Sequence, residues 1–222
     1  MAVFFPPECV LCGRPLDDVG PVCAHCAPDI SDTVEPRCRV CGDQLTEDAD
    51  LCLACATRDR GFSRVISLGA YGEVWGDLVS ALKFDRERAV ARYLGARVAD
   101  HLRDLGLAGS FDRVTFVPMT RQEFRRRGFN PARDLAASVA KRLCLPLCTS
   151  LQKTRSTAPQ RTLTAAARRE NLRGAFRGLR SRGRRVLLVD DICTTGWTLE
   201  RCAEALRQDG ATEVVGVTVA RA

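Results

Sequence analysis

Residues 186–198 read Val186-Leu187-Leu188-Val189-Asp190-Asp191-Ile192-Cys193-Thr194-Thr195-Gly196-Trp197-Thr198. An apolar run meets two adjacent carboxylates, then a Thr/Gly loop, then a helix-like pattern. A loop that opens a helix offers backbone N–H groups, hydroxyls and the positive end of the helix dipole, which together favour a phosphate. Carboxylates at the carboxyl end of a buried strand lie where open α/β sheets bind ligands, and two side by side suit the vicinal hydroxyls of a ribose. The bland alternative is an ordinary strand-to-helix turn in which Asp and Thr only cap.

The second chemical signal lies at the other end. Twelve cysteines are present, and eight form four C-x-x-C pairs before residue 56. Cys9-x-x-Cys12 and Cys23-x-x-Cys26 make one unit; Cys38-x-x-Cys41 and Cys52-x-x-Cys55 repeat it 29 residues later. Zn²⁺ takes four soft ligands in a tetrahedron, and a C-x-x-C turn presents two thiolates to one ion. A glycine after the second cysteine, Gly13 or Gly42, suits the tight turn that wraps the metal. Units this short cannot bury a core of their own, so zinc would supply much of their folding energy. Two structural zinc ions are expected, with a choice between sequential and interleaved pairing left open. Four cysteines close the coordination sphere, so the zinc is structural rather than catalytic. His25 is expected to be a loop residue.

These groups need a frame. Between residue 60 and the end, strand and helix patterns alternate: Val65–Leu68, a helix through Leu78, Val79 and Leu82, a long amphipathic helix from Val90 to Leu105, Val114–Val117 stopped by Pro118, Pro131–Leu143, Arg185–Val189, Thr198–Gln208 and Val214–Val219. The strands are apolar throughout. That pattern predicts an α/β fold with a parallel sheet covered on both faces. The expected division is 1–60 for the cysteine repeats and 61–222 for the α/β domain. His101 falls on a helix and is expected to be structural.

The net charge of +7 is uneven. Residues 121–185 hold 18 Lys/Arg against Glu123, Asp134 and Glu170, whereas the first sixty residues carry more acid than base. A basic segment beside an acidic one points to contact with phosphate. No apolar run reaches the ~18 residues of a membrane span, and residues 1–7 lack the basic and apolar regions of a signal peptide. Clustered thiol pairs at metal-ligand spacing fit a reducing compartment. A cytoplasmic protein without membrane insertion is therefore expected.

The motifs also carry a family resemblance. The string 186–198 resembles the ribose-5-phosphate loop of type I phosphoribosyltransferases. Two four-cysteine modules, Phe116-Val117-Pro118, Arg127-Gly128-Phe129-Asn130, Lys153-Thr154-Arg155, Gln160, Leu163, Arg168, Asn171-Leu172 and Phe176 follow the order of the ComF/GntX family. The resemblance implies a phosphoribosyltransferase-like domain preceded by a double zinc ribbon. It implies that Asp190 and Asp191 hold ribose hydroxyls, and that Thr194, Thr195, Gly196 and Thr198 hold the 5-phosphate. Met119, Thr120 and Arg121 would form the pyrophosphate loop. Arg125, Arg126 and Arg127 would neutralise diphosphate or meet nucleic-acid phosphates, a role suited to guanidinium forks. Lys153 to Arg173, including Arg155 and Arg161, would be the flexible loop over the site. Mg²⁺ and phosphoribosyl pyrophosphate are the implied ligands, with handling of incoming DNA as the role and a DNA-uptake helicase as partner.

Trp197 stands where such loops usually carry a small residue, so it either reaches the ligand or packs under the helix. No residue stands out as a general base. A base-recognising hood is expected only from the zinc repeats or residues 62–84, and a zinc hood beside arginines suits single-stranded DNA better than a free base. Three functions follow in that order: a nucleotide- and DNA-binding competence factor, a transferase to a nucleobase or nucleic-acid acceptor, and a regulator that senses phosphoribosyl pyrophosphate.

Overall fold

The computed structural model describes residues 7–16, 20–30, 36–46, 49–84, 88–155 and 174–222. The two cysteine units fold alike, and their repeat extends to the backbone. Cys9 N–H donates to Arg14 O and Cys38 N–H to Asp43 O; Gly13 N–H donates to Cys9 O and Gly42 N–H to Cys38 O. Gly13 and Gly42 sit at φ 69° and 67°, the left-handed turn that the position requires. The second unit ends in a short helix, α1 (Leu53–Ala56).

The rest is an α/β layer structure. β1 (Arg64–Ala70) leads through α2 (Glu73–Phe84) and α3 (Arg88–Asp104) to β2 (Arg113–Phe116). Then come α4 (Arg121–Arg127), α5 (Pro131–Arg142), β3 (Leu151–Lys153), β4 (Phe176–Gly178), β5 (Arg185–Val189), β6 (Ile192–Cys193), α6 (Trp197–Gln208) and β7 (Glu213–Arg221). The main sheet is parallel, in the order β1-β7-β5-β2, with β6 also on β7. β3 and β4 form a separate antiparallel pair. Strand residues such as Leu68, Val186, Leu187, Leu188 and Val219 are fully buried, because helices cover both faces. Among the described residues, no helix is long and apolar enough to cross a membrane.

The ribbons are seated on this sheet rather than hanging from it. Ile30 and, at the rim, Val10, Leu11 and Val22 join the core around α2 and α3, and Arg97 donates to Ile30 O at 3.1 Å. Cys38 and Cys41 belong to the core on the other face, with Phe62, Val65 and Leu199. Val65 N–H donates to Val40 O at 2.7 Å, so the second ribbon's knuckle extends the start of β1.

Two elements add to the sequence reading. The stretch expected as the pyrophosphate loop, Met119 to Arg121, becomes helical one residue after Thr120. Thr120 and Glu123 make a reciprocal capping box, and Gly128 ends the helix at φ 83°. The Thr-x-x-Glu spacing was the available signal for that start. The segment expected to be flexible begins as a strand: Lys153 lies in β3, paired with Phe176, so it is anchored. Arg161 lies outside the described residues.

Candidate functional site

Two sets of cysteines converge, Cys9, Cys12, Cys23 and Cys26, and Cys38, Cys41, Cys52 and Cys55, with ligand atoms within 4.8 Å of one another in each. Pairing is sequential. The Cys12–Cys23 and Cys41–Cys52 sulfurs are 3.7 and 3.6 Å apart, close to the ~3.8 Å edge of a tetrahedron with Zn–S of about 2.3 Å. Both sets fit structural zinc. The electrostatics repeat as well. Burial works against the thiolates of Cys9 and Cys38, but backbone N–H groups of Leu11, Cys12 and Cys23, and of Val40, Cys41 and Cys52, outweigh it and bring them down to about 6 and about 7. The leading thiol of each unit is thus prepared for a metal. His25 is exposed and outside the ligand sets.

At the carboxyl end of the sheet, β7 pairs with β5 and again with β6 in one register, Val189 with Val217 and Ile192 with Ala220. Asp190 and Asp191 occupy the step between. Asp190 N–H donates to Val217 O, and Val219 N–H donates to Asp191 O, so the backbone at the two acids remains tied to the sheet. Burial pushes the Asp190 carboxyl well above the usual carboxylate range, and the adjacent Asp191 charge adds to this. Asp191 N–H, donating to Asp190 Oδ1 at 3.0 Å, and the charge of Lys83 act the other way. Lys83, from α2, pairs with Asp191 at 3.2 Å. Two adjacent acids with one lysine beside them suit a partner rich in hydroxyls or cations.

The acids open onto a cavity of about 470 Å³, whose lining includes Lys83, Met119, Glu123, Arg126, Arg127, Asn130 and Lys153. Asn130 caps α5 through Arg133 N–H, and its amide donates to Val117 O, which fixes the turn after β2. Of the expected pyrophosphate-loop residues, Met119 reaches this cavity. Thr120 and Arg121 instead face an adjoining one of about 580 Å³, with Arg125, Phe124, Leu151 and Gln152. The helical turn of α4 thus sends Arg126 and Arg127 to one side and Arg121 and Arg125 to the other. Arg155 is exposed beside the start of the undescribed stretch.

Thr194, Thr195, Gly196 and Thr198 form the next turn along the chain and lie outside the described lining of both cavities. Gly196 is the N-cap of α6 at φ 76°, and no side chain caps that helix start. A capping Asp or Ser there would occupy the amides that an anion needs. Trp197 is half-buried at the ribbon junction, where the Arg58 guanidinium lies 3.9 Å from its ring centroid.

The sequence reading did not single out Glu123 or Lys83 as partners, nor Arg58, Arg60 and Arg221. Lys153 pairs with Glu123 at 2.7 Å, which with the Thr120 N–H outweighs burial and lowers the Glu123 pKa. Glu123→Ala should therefore destabilise the protein by about 1–2 kcal/mol at pH 7, through the lost cap and ion pair. Because the folded pKa is depressed, that contribution is present above 4.5 and disappears as pH falls through the folded value. Urea melts of wild type and variant should converge accordingly.

Comparison with known proteins agrees with this architecture. A double zinc ribbon domain matches residues 1–56, and a phosphoribosyl transferase domain matches residues 125–222. The class is thus a phosphoribosyltransferase-like α/β domain carrying an N-terminal double zinc ribbon. The chain is 33% identical to DNA utilization protein YhgH of Escherichia coli K12 over 166 residues, 72% of this chain and 73% of that one. It is also 33% identical to competence protein F of Haemophilus influenzae over 181 residues, 76% and 77% of the two chains. The chain belongs to the ComF/GntX family, which these relatives represent. A solved glutamine phosphoribosylpyrophosphate amidotransferase of B. subtilis, complexed with ADP and GMP, aligns over 63% of this chain and 30% of its own. Its identity of 22% and TM-score of 0.43 add nothing to the assignment.

Proposed function

We propose that the protein binds phosphoribosyl pyrophosphate at Asp190, Asp191 and the Thr194–Thr198 turn, and single-stranded DNA along the arginine face of α4, as part of DNA uptake or utilisation. The observation that carries the reading is the pair of carboxylates at the carboxyl end of a parallel sheet, opening onto a cavity rimmed by Lys83, Arg126, Arg127 and Lys153. Acids meet the ribose hydroxyls and cations meet the diphosphate, so one cavity complements these two parts of the ligand. Mg²⁺ takes oxygen ligands, and Asp190, Asp191 and Glu123 supply carboxylate oxygens in this cavity; the ion would offset diphosphate charge when bound.

DNA enters through chemistry and kinship together. α4 presents Arg121 and Arg125 with Phe124 half exposed between them, a pairing of cations with an aromatic that suits a single strand. The relatives' names concern DNA utilisation and competence. A DNA-uptake helicase is the protein partner that the family resemblance adds.

Calorimetric titration of phosphoribosyl pyrophosphate with Mg²⁺ into zinc-loaded protein tests the first part; no heat from folded protein would refute it. For the second, oligo(dT) binding should weaken with salt, with log K falling by about 0.7 per phosphate contact against log[salt]. Arg121→Ala and Arg125→Ala should each lower affinity several-fold and flatten that slope by about one contact. A salt-independent affinity would rule out the phosphate contacts.

A specific feature also favours transfer. The partly apolar cavity with Phe124 and Leu151 shares Pro118, Met119, Asn130 and Lys153 with the acid-bearing one, so an acceptor base could lie beside the ribose. The reaction would displace pyrophosphate at ribose C1. Pyrophosphate release that depends on an added nucleobase or oligonucleotide would establish it.

A further inference from the structure

The second zinc ribbon is joined to the 193–196 turn by two buried arginines. Arg221, at the end of β7, donates to the carbonyls of Cys193 and Thr194. Arg60, just before β1, donates to the carbonyl of Thr195 at 3.4 Å. Three successive carbonyls of the turn are thus held by guanidinium groups. In a trans peptide the C=O and N–H point in opposite directions. The N–H groups of Thr194, Thr195 and Gly196 therefore leave from the other side of those peptide planes, the arrangement that receives a phosphate oxygen. Neither arginine needs to touch the ligand to set this geometry.

What holds the arginines is the ribbon. Arg221 pairs with Asp43 at 3.1 Å, and Asp43 O accepts the N–H of Cys38 within the zinc knuckle. Arg60 follows Cys55 by five residues, is 5% exposed, and is faced by Cys55, Cys41 and Glu200. Glu200, in the first turn of α6, binds its guanidinium at 3.1 Å. Zn²⁺ with four thiolates carries a net charge of about −2, so the loaded site supplies a fixed anion for a buried cation. Without it, Arg60 would lose that fixed anion and keep Glu200 and the Thr195 carbonyl, and a buried cation with fewer charged partners relaxes toward water. Gly196 lies close against the same group: a Cβ there would stand 3.4 Å from Arg60 Nη1.

We infer that the Cys38–Cys55 zinc site positions the 193–196 turn through Arg60 and Arg221, so that occupancy of this one metal site sets how well the turn holds a phosphate. The ligand part rests on the reading proposed above; the mechanical part stands without it. Arg60 and Arg221 are positioning residues. Partners around a metal site ordinarily orient its ligands; here the influence runs outward from the metal to a turn on another element.

Hydrogen–deuterium exchange on the full zinc-loaded chain tests the coupling without any ligand. Arg60→Gln and Asp43→Asn should speed exchange of the Glu200 and Ala222 amides, which donate to the turn carbonyls of Gly196 and Cys193, tenfold or more, with both zinc ions retained and β5 and β7 unchanged. Cys55→Ser should do the same with one zinc lost, whereas Cys26→Ser, in the other site, should leave the turn at its wild-type rate. Asp43 is 47% exposed in its side chain, so its variant should fold even if the arginine variant does not. Wild-type exchange of the turn in Asp43→Asn or Cys55→Ser would overturn the inference, as would acceleration spread evenly over the sheet.

A parallel titration with Mg²⁺ and phosphoribosyl pyrophosphate separates the two readings. Binding weakened tenfold or more in Asp43→Asn supports the whole chain of coupling. Faster turn exchange in a protein whose wild type does not bind this ligand upholds the coupling and refutes the ligand. Undiminished binding together with unchanged exchange removes the coupling and leaves the ligand reading intact.

Discussion

Cys38→Ser is expected to lower the zinc content from two ions per chain to one and to destabilise the α/β domain along with the ribbon. Cys38 is 2% exposed and shares a core with Phe62, Val65, Leu188 and Leu199. Binding of a structural zinc contributes about 10–16 kcal/mol of apparent free energy in small zinc domains. Three remaining thiolates would recover part of that, so a net loss of several kcal/mol is expected, enough to lower the melting temperature by about 10 °C or more. Cys12→Ser provides the contrast. Cys12 is exposed and outside the core clusters, so its loss should cost one zinc and the order of the first ribbon, with a smaller effect on the sheet. Metal analysis with calorimetric melting distinguishes the two. Equal melting shifts would mean that the second site is no more part of the domain core than the first.

The second large effect concerns the acids. Asp190→Asn and Asp191→Asn together should abolish measurable binding of phosphoribosyl pyrophosphate. Each carboxylate that receives ribose hydroxyls contributes a charge-assisted hydrogen bond of about 1.5–3 kcal/mol, so losing both should weaken binding by about 10²–10⁴-fold. Asp190→Asn by itself should make the ligand-free protein more stable. The folded Asp190 carboxyl titrates well above its ordinary 3.8, chiefly because it is desolvated. A raised folded pKa means that the native state binds the extra proton. Stability therefore declines as pH rises above 3.8 and through the folded value. Asn carries no charge to desolvate, so Asp190→Asn alone should stabilise the free protein at pH 7 by about 0.5–2 kcal/mol, the usual size of a relieved functional strain. A binding-deficient variant that melts higher than wild type would identify the pair as a site held for a ligand. A variant that melts lower would mark Asp190 as a structural acid.

Much of this protein was legible in its residues because the relevant physics is local. Four C-x-x-C pairs with a 29-residue period define two tetrathiolate units, since each pair is one turn and each turn contributes two ligands. The strands, all apolar from Val186 to Val189 and from Val214 to Val219, report a sheet covered on both faces, and their helical spacers make it parallel. The acids and the glycine of the turn after Val189 stand within a dozen residues of one another, so the order of strand, acids, turn and helix could be read directly. The pairing of the cysteine turns could not, because sequential and interleaved arrangements use the same spacing; only the folded chain, with its sulfurs converged, decides it.

What tertiary structure alone decided involves partners far apart in the chain. Lys83 reaches Asp191 across more than a hundred residues, Lys153 reaches Glu123 from a neighbouring strand, and α4 divides its arginines between two cavities according to helical phase. Most of all, Arg60 and Arg221 read as two arginines among many, one after a zinc knuckle and one at a strand end. Their role depends on the sheet bringing β1 and β7 side by side while the second ribbon is seated over both. Periodicity records which face of an element is buried, but not which element lies against it. That choice is made by packing, and here packing joins the zinc site to the turn beside the two acids.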